Sequence, residues 1–196
     1  MEGNYTIANS LDIPPLVPYT CILGNLRISA HALSSLDLPN LRYISGILSI
    51  ESTSLPNLDG FSALKYVGGS LEIRQNDLLT DLDGMADLES VEFLLVYGHM
   101  ALKSVNLPSL ATVTNTFAVH WDGSDRWQSI LIIANPELET LDFSSLATLD
   151  SAAGILDNTV LPYCEICADV AGFVDLADCD GNLEDACWSV DQISCP

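Results

Sequence analysis

Leu71-Glu72-Ile73-Arg74-Gln75-Asn76 is the stretch on which the fold turns, because five more like it lie at nearly regular intervals. Laid beneath it are Leu26-Arg27-Ile28, Leu48-Ser49-Ile50, Leu94-Leu95-Val96, Ile130-Leu131-Ile132 and Ala153-Gly154-Ile155. Each reads apolar, variable, apolar, the period-2 pattern of a strand with one face buried. Three positions beyond the last apolar residue stands a polar one: His31, Thr53, Asn76, His99, Asn135 and Asn158. Further apolar positions follow, such as Leu58, Leu64 and Val67, or Leu141, Leu146 and Leu149. A fixed period of about 23 residues predicts a solenoid, in which each coil buries its apolar face only against its neighbours.

Successive strands then stack about 4.8 Å apart into a long parallel sheet, and the polar position becomes a column along the solenoid. Asparagine suits that column because its side chain caps backbone groups at turns and tolerates left-handed geometry. Pro39-Asn40, Pro56-Asn57, Asp59-Gly60, Asp83-Gly84 and Pro108-Ser109 mark the remaining turns. The segments between turns are too short for regular helices and rich in Leu, Val and Thr. The expected fold is therefore all-β, a β-helix-like solenoid with several short strands per coil.

Composition suits a folded, exported domain. The chain has 196 residues, 48% of them hydrophobic, enough for one sizeable core. Asp and Glu number 27 against 6 Lys and Arg, and no basic residue follows Arg126. A net charge of -21 repels phosphate backbones and anionic lipid, which disfavours nucleic acid and membrane surfaces as partners. Solubility is the plain reading of that charge. No apolar run reaches the roughly 18 residues of a spanning helix, so no membrane insertion is expected. Met1-Glu2-Gly3-Asn4 lacks the basic start and apolar stretch of a signal peptide, and the chain reads as a mature fragment with an added Met.

Cys21 stands alone before the first coil, whereas Cys164, Cys167, Cys179, Cys187 and Cys195 crowd the C-terminal end. A solenoid must close its ends, so residues 164–196 read as an acidic cap stapled by disulfides in an oxidising compartment. Cys164-Glu-Ile-Cys167 also has zinc spacing, but no second pair and no nearby His accompany it. Six cysteines allow 15 pairings. Asp178, Asp180, Asn182 and Glu184 have calcium-like oxygen spacing, although Leu183 stands where an EF-hand needs Gly; no cofactor is otherwise implied. Asn4-Tyr5-Thr6 fits the glycosylation sequon.

The run Gly24-Asn-Leu-Arg-Ile28, with Gly69-Ser-Leu-Glu-Ile73 followed by Asn76, resembles the receptor L domain. That is the leucine-rich, right-handed β-helix of insulin-receptor and epidermal-growth-factor-receptor ectodomains, found also in fungal wall proteins and bacterial surface proteins. The resemblance covers roughly Asn4 to Cys167. It implies an N-terminal capping coil over 1–23, repeats over 24–163, and a secreted or cell-surface location. It also implies a cysteine partner for Cys21 in the stretch that Met1 and Glu2 occupy. In such receptors the sheet face contacts ligand, which implies a recognition role here.

One coil breaks the period. Glu92 and Gln128 stand 36 positions apart, about 13 beyond one repeat. Residues 115–128 hold Phe117-Ala118-Val119, the turn signal Asp122-Gly123, and Trp121 and Trp127, which predicts either a shortened coil or a projecting hairpin. Insertions in solenoids gather on one face, often the binding face.

The outward residues of the stacked strands change character along the chain. The first coils offer Arg27, Ser29, Ser49, Glu51, Glu72 and Arg74, with Glu51 and Arg74 as a cross-strand pair. The later coils offer Leu95, Tyr97, Ala118, His120, Leu131, Ile133 and Leu156. An open face of large aliphatics, a Tyr and two nearby Trp exceeds scattered surface hydrophobes. The expected partner-binding set is Leu95, Tyr97, His120, Trp121, Trp127, Leu131, Ile133 and Leu156, for a protein partner or for self-association. The opposing expectation is that the hairpin or the acidic cap folds over this patch.

Catalytic constellations are scarce. His31 and His99 lie about 14 Å apart along the column by rung spacing, too far to share a metal or a proton. His120 with Asp122 and Asp125, and Glu51, Glu72 and Arg74, are small polar groups without a nucleophile. Three functions follow in order: a non-catalytic extracellular protein-recognition module; a polysaccharide-binding or wall-structural module stacking sugar on Trp121, Trp127 and Tyr97; and a glycan-cleaving β-helix enzyme.

Overall fold

The computed structural model describes residues 1–114, 117–120 and 125–162, with side chains placed outside 115–127. The C-terminal cap, the disulfides of its five cysteines and the calcium-like group therefore lie outside the described residues, as does Trp121. The described chain is an all-β solenoid of about 6 turns with roughly 23-residue spacing.

The first coils hold β1 (Tyr5–Ile7), β2 (Cys21–Ile22), β3 (Leu26–Ser29), β4 (Tyr43–Ile44), β5 (Leu48–Glu51), β6 (Tyr66–Val67) and β7 (Ser70–Arg74). They are followed by β8 (Ser90–Val91), β9 (Phe93–Tyr97), β10 (Ser104–Asn106), β11 (Thr112–Val113) and β12 (Phe117–His120). The last are β13 (Asp125–Ile133), β14 (Thr140–Asp142), β15 (Thr148–Leu149) and β16 (Ala152–Leu156).

Strands β1, β3, β5, β7, β9, β13 and β16 run side by side as one parallel sheet, and β2, β4, β6, β8, β11 and β15 form the second. A short pair, β10 with β14, closes a third side. Registration follows the sequence repeat residue by residue: Leu26, Leu48, Leu71, Leu94, Ile130 and Ala153 are successive partners, as are Ile28, Ile50, Ile73, Val96, Ile132 and Ile155. All twelve are fully buried. Ile22, Ile44, Val67, Val91 and Val113 face them from the second sheet. Register is fixed because a one-residue slip would turn every one of these side chains to the outside.

The irregular coil is a hairpin. Strand β12 pairs antiparallel with the first part of β13, from Phe117 with Gln128 to His120 with Asp125. The second part of β13, Ile130–Ile133, joins β9 on one edge and β16 on the other. A bulge at Ser129 separates the two parts, which is how β13 can leave one pairing and enter another.

Candidate functional site

Two features inside and outside the sheet decide what the solenoid can do: the polar column and the outer face of the first sheet. The column is a continuous hydrogen-bonded ladder. Thr53 donates through its N–H and its Oγ1 to Asn76 Oδ1, at 2.9 and 2.7 Å. Asn76 Nδ2 donates to the carbonyls of Ile50 and Arg74, both at 3.0 Å. Asn76 N–H points at His99 Nδ1 (3.1 Å), His99 N–H at Asn135 Oδ1 (3.1 Å), and Asn135 N–H at Asn158 Oδ1 (3.1 Å). Asn158 Nδ2 closes on the carbonyl of Ile132 at 2.9 Å. Each side chain caps the turn of the preceding coil, so buried amides that no strand can pair are satisfied.

Two expectations need correction here. The left-handed residue of each turn is the one before the ladder residue: Ser52, Gln75, Gly98, Ala134 and Asp157 have φ between 51° and 72°. Asparagine is selected for capping, not for its own backbone. His31 also stands outside the ladder; its side chain is exposed, and only its carbonyl is used, accepting from Ser54 Oγ at 2.6 Å.

His99 is fully buried. With Nδ1 accepting from Asn76 N–H, Nε2 must carry the proton and donate to the carbonyl of Ile73 at 3.1 Å. Burial pulls its pKa below the ordinary 6.5, against smaller upward pulls from the carbonyls of Ile73 and Asn76 and the charge of Asp77. An unfolded chain takes the proton near 6.5 and the folded one only at lower pH, so His99 stabilises fully above 6.5 and less as pH falls through that value. His99→Asn is expected to flatten this acid-side slope while retaining stability at pH 8, since Asn135 and Asn158 fill equivalent places. Urea unfolding of both proteins from pH 8 to pH 5 checks it; parallel slopes would remove His99 as the cause.

The outer face of the first sheet divides as its residues suggest, but not in exposure. At one end a shallow hollow of about 250 Å³ is lined by Asn25, Arg27, Ile47, Glu51, Glu72 and Arg74. Arg27 pairs with Glu51 and Arg74 with Glu72, each at 3.1 Å. The expected Glu51–Arg74 pair is absent, although the two are register neighbours; Glu51 is taken by Arg27, and Arg74 by Glu72 on its own strand. At the other end, the residues expected to be exposed are not. Leu131 and Ile133 are 5% and 3% exposed, and pack with Phe93, Leu95 and Leu156 in a small cluster separate from the core. Leu95 and Leu156 are half-buried, and only Tyr97, 39% exposed, is open to solvent. His120 and Trp127 sit on the hairpin strands with side chains outside the described set.

A feature that sequence reasoning missed lies on the second sheet. Tyr43 and Tyr66 are register partners on adjacent rungs and are 37% and 42% exposed. Tyr66 OH donates to Glu89 Oε2, and Lys65 donates to Glu89 Oε1. Their spacing of 23 positions was the available signal. Cys21, half-buried and free, precedes them in the same outward column; the stretch where the resemblance implies its partner holds Met1 and Glu2 and no cysteine. Among the described residues no group of three metal-ligating side chains gathers, and no helix is long and apolar enough to cross a membrane. No family model, curated protein or solved structure matches the chain.

Proposed function

We propose that this chain is a non-catalytic recognition module of the receptor-L-domain kind, secreted or displayed at a cell surface, which binds a protein partner through the outer face of its first sheet. The observation that carries the reading is the mixed-charge hollow at Arg27, Glu51, Glu72 and Arg74 on a continuous parallel sheet. Its guanidinium and carboxylate groups are 17% to 58% exposed, so they can exchange partners without the penalty of an uncovered buried charge. The footprint extends to Tyr97, an aromatic suited to anchoring a contact, while Leu131 and Ile133 are buried with Phe93 and lie outside it. On this reading Arg27→Glu with Arg74→Glu abolishes capture of the partner from the source organism's extracellular fraction at unchanged melting temperature. Lys103→Glu, on another side, leaves capture intact. Equal capture by all three proteins would exclude this face.

A polysaccharide-binding role is the second reading, favoured by the exposed pair Tyr43 and Tyr66, which offers apolar ring area beside the polar groups of Lys65 and Glu89. Tyr43→Ala with Tyr66→Ala would then abolish retention on insoluble glycan and leave protein capture unchanged.

A further inference from the structure

The turn that follows the polar column is built in two ways. In the first two coils Leu33 and Leu55, two positions beyond His31 and Thr53, are turned into the core. From Asn76 onward the turn is one residue longer. Leu79, Leu102, Leu138 and Leu161 take the core place, three positions beyond Asn76, His99, Asn135 and Asn158, and each is fully buried. The two residues between are left at the surface: Asp77-Leu78, Met100-Ala101, Pro136-Glu137 and Thr159-Val160. These pairs lie on consecutive coils, because the ladder joins Asn76 to His99, His99 to Asn135 and Asn135 to Asn158. Thr159 Oγ1 also donates directly to the carbonyl of Pro136 at 3.2 Å.

Nothing in the turn calls for apolar residues at these outer places, as Asp77, Glu137 and Thr159 show. Leu78, Met100 and Val160 are nevertheless 56%, 60% and 39% exposed. They form a line that spans three rungs, about 14 Å, and so differ from single scattered hydrophobes. The flanks of the line are acidic. Asp77, Glu137 and Asp157 are exposed, and none is in an ion pair among the described residues. The four turns hold no Lys or Arg. A second copy of a chain with net charge -21 is repelled from such a surface, whereas a cationic partner is drawn to it. An α-helix advances about 5.4 Å per turn against about 4.8 Å per rung, so successive turns of one helix face can meet successive coils.

We infer that Leu78, Met100 and Val160 dock a short amphipathic helix of a partner protein. Its apolar face lies on the coils, and its flanking Lys and Arg reach Asp77, Glu137 and Asp157. This surface is separate from the mixed-charge hollow and does not rest on it.

The probe is a synthetic peptide of about 15 residues, made of Leu and Lys alone, with the leucines on one helical face. Fluorescence anisotropy at physiological salt, which screens loose charge attraction, should show saturable binding to the full chain. Leu78→Ser with Met100→Ser should weaken it by about tenfold or more at unchanged melting temperature, since both side chains are exposed. Asp77→Asn with Glu137→Gln should weaken it by about threefold or more. Leu11→Ser removes an equally exposed leucine from the first coil and should leave binding unchanged. Arg27→Glu with Arg74→Glu, which tests the hollow, should not weaken the peptide, so the two surfaces fail separately. Absence of saturable binding, equal binding by every variant, or equal binding of an analogue with Glu for Lys would overturn the docking line. So would a wild-type dimer that the Leu78→Ser, Met100→Ser protein does not form.

Discussion

Asn76→Ala is expected to destabilise the protein by about 4 kcal/mol and to lower its melting temperature by about 8–16 °C. The side chain is 1% exposed and holds four hydrogen bonds besides its backbone bond to His99. Its removal takes the acceptor from the N–H and Oγ1 of Thr53 and a donor from the carbonyl of Ile50, while the carbonyl of Arg74 keeps the N–H of Ser52. Each such buried group costs about 1–3 kcal/mol when nothing replaces its partner. The defect also divides the ladder, because Asn76 is the step joining Thr53 to His99. Asn57→Ala provides the contrast: Asn57 Oδ1 accepts only one exposed bond, from Asp59 N–H at 3.3 Å, and its loss should cost under about 1 kcal/mol. Chemical unfolding of both variants measures the difference. A loss at Asn76 no larger than at Asn57 would mean that water satisfies the column and that the ladder does not hold the turns.

The ladder also marks the boundary of what was legible. Leu71-Glu72-Ile73 and its relatives gave register directly, because side-chain alternation is local and the stack repeats it at every rung. The polar column was legible for the same reason. Which residue of the turn is left-handed was not: Ser52, Gln75, Ala134 and Asp157 share no side-chain type, and the conformation is imposed by capping from the next coil. The ion pairs were misassigned because Glu51 can reach two arginines, and register alone does not choose between them. The burial of Leu131 and Ile133 was not legible because alternation says which way a side chain points, not how closely Phe93, Leu95 and Leu156 pack around it. The paired tyrosines were legible in principle, since Tyr43-Ile44 and Tyr66-Val67 repeat one coil apart. They escaped notice because the first sheet's pattern is longer and stronger than a two-residue strand.

Gly84→Ala should be almost as damaging as loss of Asn76, at about 3 kcal/mol or more, and for an unrelated reason. A Cβ built at Gly84 would lie 2.2 Å from the carbonyl carbon of Leu58, 2.3 Å from its oxygen and 2.4 Å from the nitrogen of Asp59. Those are backbone atoms of the preceding coil, which cannot rotate aside as a side chain would. The turns Asp59–Phe61 and Asp83–Met85 are stacked this closely because Phe61 and Met85, both fully buried, are drawn into the core directly beneath them. Accommodating a methyl group means prising two rungs apart by about 1 Å, against the hydrogen bonds and core contacts that set their spacing. Gly98→Ala separates this steric effect from ordinary glycine behaviour. Gly98 has φ +72°, but a Cβ there meets only Gln75 Cγ at 3.7 Å, and the same turn position elsewhere already holds Ser, Gln, Ala and Asp. Its substitution should therefore cost only about 1 kcal/mol, the strain of one left-handed residue. Thermal unfolding of the two variants side by side decides the matter. A Gly84→Ala protein as stable as Gly98→Ala would show that the coils are free to move apart at this corner, and that close backbone stacking there is not what fixes the rise of the solenoid.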